Sequence, residues 1–426
     1  MSKRCTRLRF APLSVCLGLA GIACGSAVQE EAASVQQGAQ KPGPGGFPII
    51  RGYFWKASDV LLPEGDPDDV RSVAIQATPS LIAAFGTSDS AGGTVQVRTY
   101  SNSTQLWDAT AVLPGRYAAL SNDVLAVGTP SVDVKLYHAP IFGTHATLTP
   151  NVPVASSEFG RSLAMDGPTL VVGAPSYNAE EGRAFIFELV EVPIRFIKRF
   201  VWQQTAMLGG SSPAAIAVTP IAESFLGAAV GVSGAVVAVG QTPDAPDANG
   251  RMGRVFLFEK QANAWSLVDT VFAHDPNTAQ IAANSDVNAQ NFGKALVVKG
   301  DVLAVRSDRY VQLFSRDTSS GAVHWLFTQS FDVGLSSSSF WDRPLAFDGE
   351  ELVSGDSFEE SYAGRLYPLM GTLAHAIPNV PPNPFIEESP SESGALFGQC
   401  LVTAGGWLLV GDRRSHVRVY ARTPFY

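Results

Sequence analysis

Cysteine is scarce in the body of this chain. Of its four cysteines, Cys5, Cys16 and Cys24 fall within the first 24 residues, and only Cys400 lies beyond them. A disulfide framework in the mature domain is therefore excluded, and an exported form must be held by its core alone. Charge is scarce too. Asp, Glu, Lys and Arg make up 16% of residues, against about a quarter in average domains. The charge present leans acidic, −9 overall, and no basic patch marks the sequence, which speaks against nucleic acid as a partner. The signatures of several large enzyme classes are missing. There is no Gly-x-Ser-x-Gly elbow and no Walker-type phosphate loop, and the six histidines form no HxH, HExxH or HxxxH pair.

What is abundant points to β structure. Hydrophobic residues make up 46% of the 426-residue chain, with 40 glycines and 28 prolines. That composition supports a large core interrupted by many turns. The length exceeds one ordinary domain, but repeat architectures often run past that limit as one unit.

The N-terminus reads as an address. Residues 1–9, MSKRCTRLR, are basic, and residues 10–23, FAPLSVCLGLAGIA, are apolar and then small. This is the pattern of a secretory signal. The stretch Leu19-Ala-Gly-Ile-Ala-Cys24-Gly-Ser is similar to the lipobox of bacterial lipoproteins, a resemblance that implies acylation of Cys24 and cleavage before it. Gly21 stands where that pattern prefers Leu, and cleavage after Ala27 by an ordinary signal peptidase is the alternative. Several acyl chains on one cysteine anchor firmly, since each buried CH₂ contributes about 0.8 kcal/mol. Residues 24–46 have almost no large apolar side chains and read as a flexible tether. Removing residues 1–23 takes away Lys3, Arg4, Arg7 and Arg9 and no acid, which leaves a charge of −13.

From residue 47 onward one pattern recurs. Residues 158–175, EFGRSLAMDGPTLVVGAP, place two short apolar runs around Asp166-Gly167, a strong hairpin turn. A third strand, Gly182–Phe187, and a fourth near Trp202 follow. The same order begins with RSVAIQATPSLIAAFGT at Arg71, RYAALSNDVLAVGTP at Arg116, FLGAAVGVSGAVVAVG at Phe225, NFGKALVVKGDVLAVRS at Asn291, SFWDRPLAFDGEELVSGD at Ser339 and LFGQCLVTAGGWLLVGD at Leu396. Seven copies of four short strands predict an all-β, seven-bladed propeller with four-stranded antiparallel blades. The last copy ends after its third strand, and residues 53–62, YFWKASDVLL, precede the first copy as an orphan fourth strand. They are expected to complete the last blade and close the ring. The apolar run 225–240 is short for a membrane span and carries Gly227, Gly231, Gly234 and Gly240, so two buried strands are expected there.

Phe159-Gly160 and Val172-Gly173-Ala174-Pro175 resemble the FG-GAP repeat of bacterial exported proteins, distantly related to the propeller of integrin α subunits. The resemblance covers nearly all of residues 53–423, closely in the third copy. Arg306 replaces the GAP glycine of the fifth copy, and Trp341 replaces the FG glycine of the sixth. The resemblance implies a propeller that binds partners through its face and loops. It also brings calcium loops of the kind Asp-x-Asp-x-Asp-Gly between the two motif strands. Here those connections are only two or three residues, such as Asp166-Gly167-Pro168 and Ser233-Gly234, too short to wrap a cation. Asp244, Asp247 and Asn249 in the stretch DAPDANG are the remaining calcium candidate, against a plain solvated turn.

Other chemistry is thin. Cys400 falls within a first strand and reads as a small buried hydrophobe. The pairs Glu180-Glu181, Glu350-Glu351 and Glu359-Glu360 sit in predicted turns and read as solvated. Trp55, Trp107, Trp202, Trp265 and Trp325 recur at one place per copy, which predicts packing between blades rather than sugar stacking. Residues 189–223 and 376–395 interrupt the period as long loops, where recognition tends to sit. The sequence therefore predicts a monomeric, non-enzymatic binding or scaffold protein of the cell envelope, engaging a protein or glycan and touching the membrane only through a lipid anchor. It requires no cofactor, calcium at 244–249 being the one candidate. The alternative is a hydrolase or lyase with its site at the central channel, whose sign would be titratable side chains converging there from several blades. The first strands, such as SLAMD, ALVVK and CLVTA, predict instead a mostly apolar channel.

Overall fold

The computed structural model describes residues 53–64, 69–88, 92–129, 132–194, 197–210, 215–218, 224–242, 253–282, 290–334, 344–356, 364–369, 386–387, 397–413 and 416–424. These residues form seven four-stranded antiparallel sheets, the blades of a propeller. Six blades are consecutive in sequence. Their innermost strands are Asp69–Gln76, Tyr117–Ser121, Ser162–Asp166, Val230–Ser233, Ala295–Lys299 and Leu345–Phe347. Blade 7 is built from Cys400–Ala404, Trp407–Gly411 and Val417–Pro424, with Tyr53–Leu61 as its outer strand. The closing strand pairs antiparallel along its length, from Tyr53 opposite Pro424 to Leu61 opposite Val417. Innermost strands of successive blades adjoin, and that of blade 7 adjoins that of blade 1. The ring is closed, as the split repeat predicts. The apolar run from Phe225 becomes strands Val230–Ser233 and Val236–Gln241, and no described helix is long and apolar enough to cross a membrane.

Alternating side chains of each blade pack against both neighbours, so the core is a set of layers between blades rather than one centre. The FG phenylalanine is the wedge in three of these layers. Phe159 is fully buried among Ala126, Val134 and Leu136 of blade 2 and Leu170, Val172 and Phe185 of blade 3. Phe292 does the same between blades 4 and 5, and Phe397 between blades 6 and 7. Each such side chain contributes about 1.5–3 kcal/mol by leaving water. The tryptophans join these layers. Trp265 of blade 4 packs among Val171, Ala184 and Ile186 of blade 3, and Trp325 of blade 5 among Val255 and Leu257 of blade 4.

The glycines let the blades approach to backbone contact. A Cβ on Gly173 of blade 3 would collide with the carbonyl oxygen of Gly227 in blade 4. Gly240 meets Gly293 of blade 5 in the same way, Gly128 meets Gly160, and Gly355 meets Gly398. The GAP glycine of one blade thus faces the FG glycine of the next. FG glycines such as Gly160 (φ 91) and Gly293 (φ 94) also occupy the left-handed region that other residues avoid.

A second feature repeats without a sequence motif. The outer strand of six blades carries a one-residue bulge, at Ser58, Thr110, His145, Thr205, Val268 and Thr328. Bulges increase local twist, which bends each blade as it widens from the axis. Thr328 and Ser58 close theirs by donating their hydroxyls to Leu313 O at 3.1 Å and Val419 O at 3.2 Å.

Ion pairs tie adjacent blades together farther out. Glu188 of blade 3 accepts Lys260 Nζ at 2.7 Å and Trp265 Nε1 at 3.2 Å from blade 4. Glu259 of blade 4 accepts Arg316 of blade 5 in bidentate fashion at 2.6 and 2.9 Å. Burial works to raise the Glu188 carboxyl, but hydrogen bonds from Lys260, Thr205 and Trp265 outweigh it and hold the group below its ordinary value.

Gly240→Ala is expected to destabilise the ring by about 1–3 kcal/mol, read as a lower denaturant midpoint at unchanged slope. Gly143→Ala, where an added Cβ meets nothing, is expected to stay within about 0.5 kcal/mol; equal effects would contradict the blade-contact role. A carboxyl depressed on folding stabilises above its unfolded pKa, and that contribution fades as pH falls through the lower folded value. Glu188→Gln is therefore expected to be less stable than the parent at neutral pH, with the gap narrowing below about pH 4.5, the ordinary value. A gap independent of pH would show that the charge of Glu188 is not what matters.

Candidate functional site

The innermost strands surround the axis of the ring, and a cavity of about 300 Å³ opens where they begin and the second strands end. Residues from all seven blades line it. Its outer part is charged. Arg71 comes from blade 1, Arg161 from blade 3 and Lys294 from blade 5, while Arg306 of blade 5 touches the wall as a buried residue. The one carboxylate among the described lining residues is Asp308, also of blade 5. Hydroxyls and amides lie between the charges: Ser72, Tyr117, Ser162, Asn291 and Gln399. Farther in, the lining turns apolar, with Val73, Leu163, Val230, Leu296 and Leu401. Most of these stand two residues beyond a rim residue, roughly 7 Å along a strand.

Local structure explains how each cation is placed. The pairing of Asp69–Gln76 with Ile82–Ser88 slips between Val70 and Ser72, which makes Arg71 a bulge residue. Bulges commonly re-aim side chains beside functional sites. Arg71 Nε is fixed by Asp69 at 2.8 Å and Ser88 at 3.3 Å. Arg161 follows the left-handed Gly160 and is held through Nη1 by both oxygens of Glu158 at 2.7 Å. Ser176 in turn donates to Glu158 at 2.8 Å. Asp69 and Glu158 do not line the cavity; they stand behind the cations and orient them. Asn291 Nδ2 donates to both oxygens of Asp308 at 3.0 Å.

Arg306 belongs to the site and to the ring. It is 2% exposed and reaches from blade 5 into blade 6, donating to Ser354 Oγ and Gly355 O and standing 3.4 Å from Asp356. The position is that of the missing GAP glycine. The other broken motif, at Trp341, falls on the next copy and lies outside the described residues. A guanidinium fills the gap that backbone contact fills elsewhere.

The structure answers the sequence candidates unevenly. Cys24, Asp244, Asp247 and Asn249 lie outside the described residues, as do Glu359 and Glu360. No group of three or more His, Cys, Asp or Glu able to hold a metal ion occurs among the described residues. Cys400 is buried, with Sγ 3.7 Å from Val70 O, and lines the cavity wall. Glu351 is buried, not solvated as a turn residue would be. His274 stacks flat on Phe327 at 4.8 Å, and burial pushes its imidazole below the ordinary value against the opposing bond to Phe272 O. Residues 189–208 are not a loop. They continue the third and outer strands of blade 3, each 12 residues long, into a hairpin, and Phe200 on it is 60% exposed.

The expectation of an apolar channel holds only for the deeper lining. The rim cations were missed because they stand at or just before the strand starts. A signal existed in the residue after the FG glycine, which reads Arg161, Lys294 and Gln399 in copies three, five and seven.

A family model described as FG-GAP repeat matches residues 142–187. That span runs from the outer strand of blade 2 through the third strand of blade 3 and contains the Phe159-Gly160 and Gly173-Ala174-Pro175 pair. No curated protein sequence matches the chain. Among solved structures, a chain from "Crystal Structure of Mitotic Checkpoint Complex" is similar at a TM-score of 0.51 and 14% identity, over 90% of this chain and 96% of that one. At that identity the likeness is one of fold.

Removing one partner of a buried ion pair leaves the other charge uncompensated, at a cost of about 3–5 kcal/mol. Arg306→Met is expected to destabilise by that order in chemical denaturation, and Arg306→Met with Asp356→Leu to recover most of it. A double variant as unstable as the single one would contradict the account of the blade 5–6 interface.

Proposed function

We propose that this chain is a non-enzymatic binding or scaffold protein, exported to the cell envelope and tethered there by acylated Cys24. Its partner is a protein or glycan of the envelope, engaged through the channel mouth and the surrounding loops. One observation carries the reading. A closed ring of seven blades gathers charged and polar side chains from five of them into one concave mouth that all seven line. A rigid frame with side chains already held in place lowers the ordering cost of association. The FG-GAP match to blade 3 agrees with a binding role in general.

A hydrolase or lyase acting at the same mouth is the second reading. The convergence of Arg71, Arg161, Lys294 and Tyr117 from four blades favours it. The two readings separate by turnover: an enzyme releases a modified product, and a binding protein returns its ligand unchanged.

The full chain, immobilised and exposed to envelope extract and glycan panels, is expected to retain a partner that Arg161→Glu releases. Retention of nothing would overturn the binding reading. Cys24→Ser is expected to move the protein from the membrane to the soluble fraction. An unchanged membrane fraction, or a mature mass starting after Ala27, would overturn the lipid anchor.

A further inference from the structure

We propose that the channel mouth is a carboxylate site, taking one anionic group carried on a short apolar body. The proposal rests on the binding reading above and names the chemistry of the ligand. Three observations carry it. First, the charge of the described lining runs against the charge of the chain: Arg71, Arg161 and Lys294 stand exposed at the rim, against one carboxylate, Asp308, among the described lining residues, in a protein of net charge −9. Second, the outer guanidiniums are held for use. Arg71 is engaged by Asp69 and Ser88 through Nε, and Arg161 is engaged by Glu158 through Nη1. A guanidinium fork is how arginine recognises a carboxylate. Their side chains are 37% and 48% exposed, so the rim is open to a ligand.

Third, the polarity changes with depth. Leu163 and Leu296 stand two residues inward of Arg161 and Lys294, and both line the same cavity. A bare anion would leave that apolar wall wet. A carboxylate on a chain of a few carbons covers both zones. Each CH₂ taken from water contributes about 0.8 kcal/mol. A space of about 300 Å³ stands at the small end of ligand pockets and has room for such a body. The same chemistry has two sources, a free short-chain acid or the C-terminus of a peptide ending in an apolar residue.

Calorimetric titration of the full chain tests this with hexanoate, acetate, 1-hexanol, hexylammonium and N-acetyl-leucine. Hexanoate or N-acetyl-leucine is expected to bind one per chain, at least tenfold more tightly than acetate, with no binding of hexanol or hexylammonium. The tighter of the two acids identifies the source. Arg161→Gln, at an exposed side chain, is expected to weaken it about tenfold or more, as loss of a charge-assisted hydrogen bond does. Arg199→Gln, on the blade 3 hairpin outside the cavity, is expected to leave binding unchanged. Equal binding of hexanol, or Arg161→Gln binding like the parent, would overturn the proposal. If the chain retains an envelope partner through Arg161 while neither acid binds or displaces it, the ligand class fails and the binding reading stands.

Discussion

Backbone contact between neighbouring blades is the constraint on which the rest of the ring depends. Wherever the GAP glycine of one blade faces the FG glycine of the next, a single Cβ has no room. That approach brings the FG phenylalanine into the layer between blades, where Phe159, Phe292 and Phe397 lose all contact with water. It also fixes the start of each innermost strand, because the FG glycine is the last residue before the rim. The positions of Arg161 and Lys294 at the channel mouth are therefore set by the same contact that holds the blades together. Where the contact is broken, between blades 5 and 6, a buried ion pair of Arg306 and Asp356 replaces it and puts a buried cation in the wall of the mouth.

Much of this was legible in the sequence because it is local. Strand alternation, Asp-Gly and Ser-Gly turns and the recurrence of the motif are set by neighbours in the chain, and they predict seven blades with residues 53–62 closing the last. The packing role of the tryptophans followed from recurrence alone, and Trp265 and Trp325 show it. What was not legible depends on contacts between repeats. The bulge in the outer strand leaves no composition signal, since Thr, Ser, His and Val all occupy it. The extension of the blade 3 hairpin beyond residue 189 read as part of a loop over 189–223 because Pro193 and a run of basic residues hid its alternation, although each strand continues past the length of its neighbours. The rim cations looked unremarkable one by one, and only ring closure brings residues from positions 71, 161 and 294 into one cavity.

The mouth joins two properties that rarely coincide on an acidic, weakly charged chain. Its guanidiniums are oriented by acids placed behind them, so their geometry is set before any ligand arrives. The walls below are apolar, and low-dielectric surroundings strengthen the interactions of those cations with an incoming charge. Net negative charge elsewhere keeps the surface soluble and discourages nonspecific association with other acidic molecules. On the proposed binding reading, recognition at the mouth is a matter of shape and well-placed charge, without long-range attraction.

The central claim is that residues 53–424 form one closed ring, with the N-terminal strand carrying the last blade. Native-state hydrogen exchange of the full chain tests it most directly. The account predicts that paired amides of Tyr53–Leu61 exchange as slowly as those of Val417–Pro424, in one cooperative unit. Fast exchange of 53–61, with 417–424 still protected, would show a ring left open at its seam and would contradict the account.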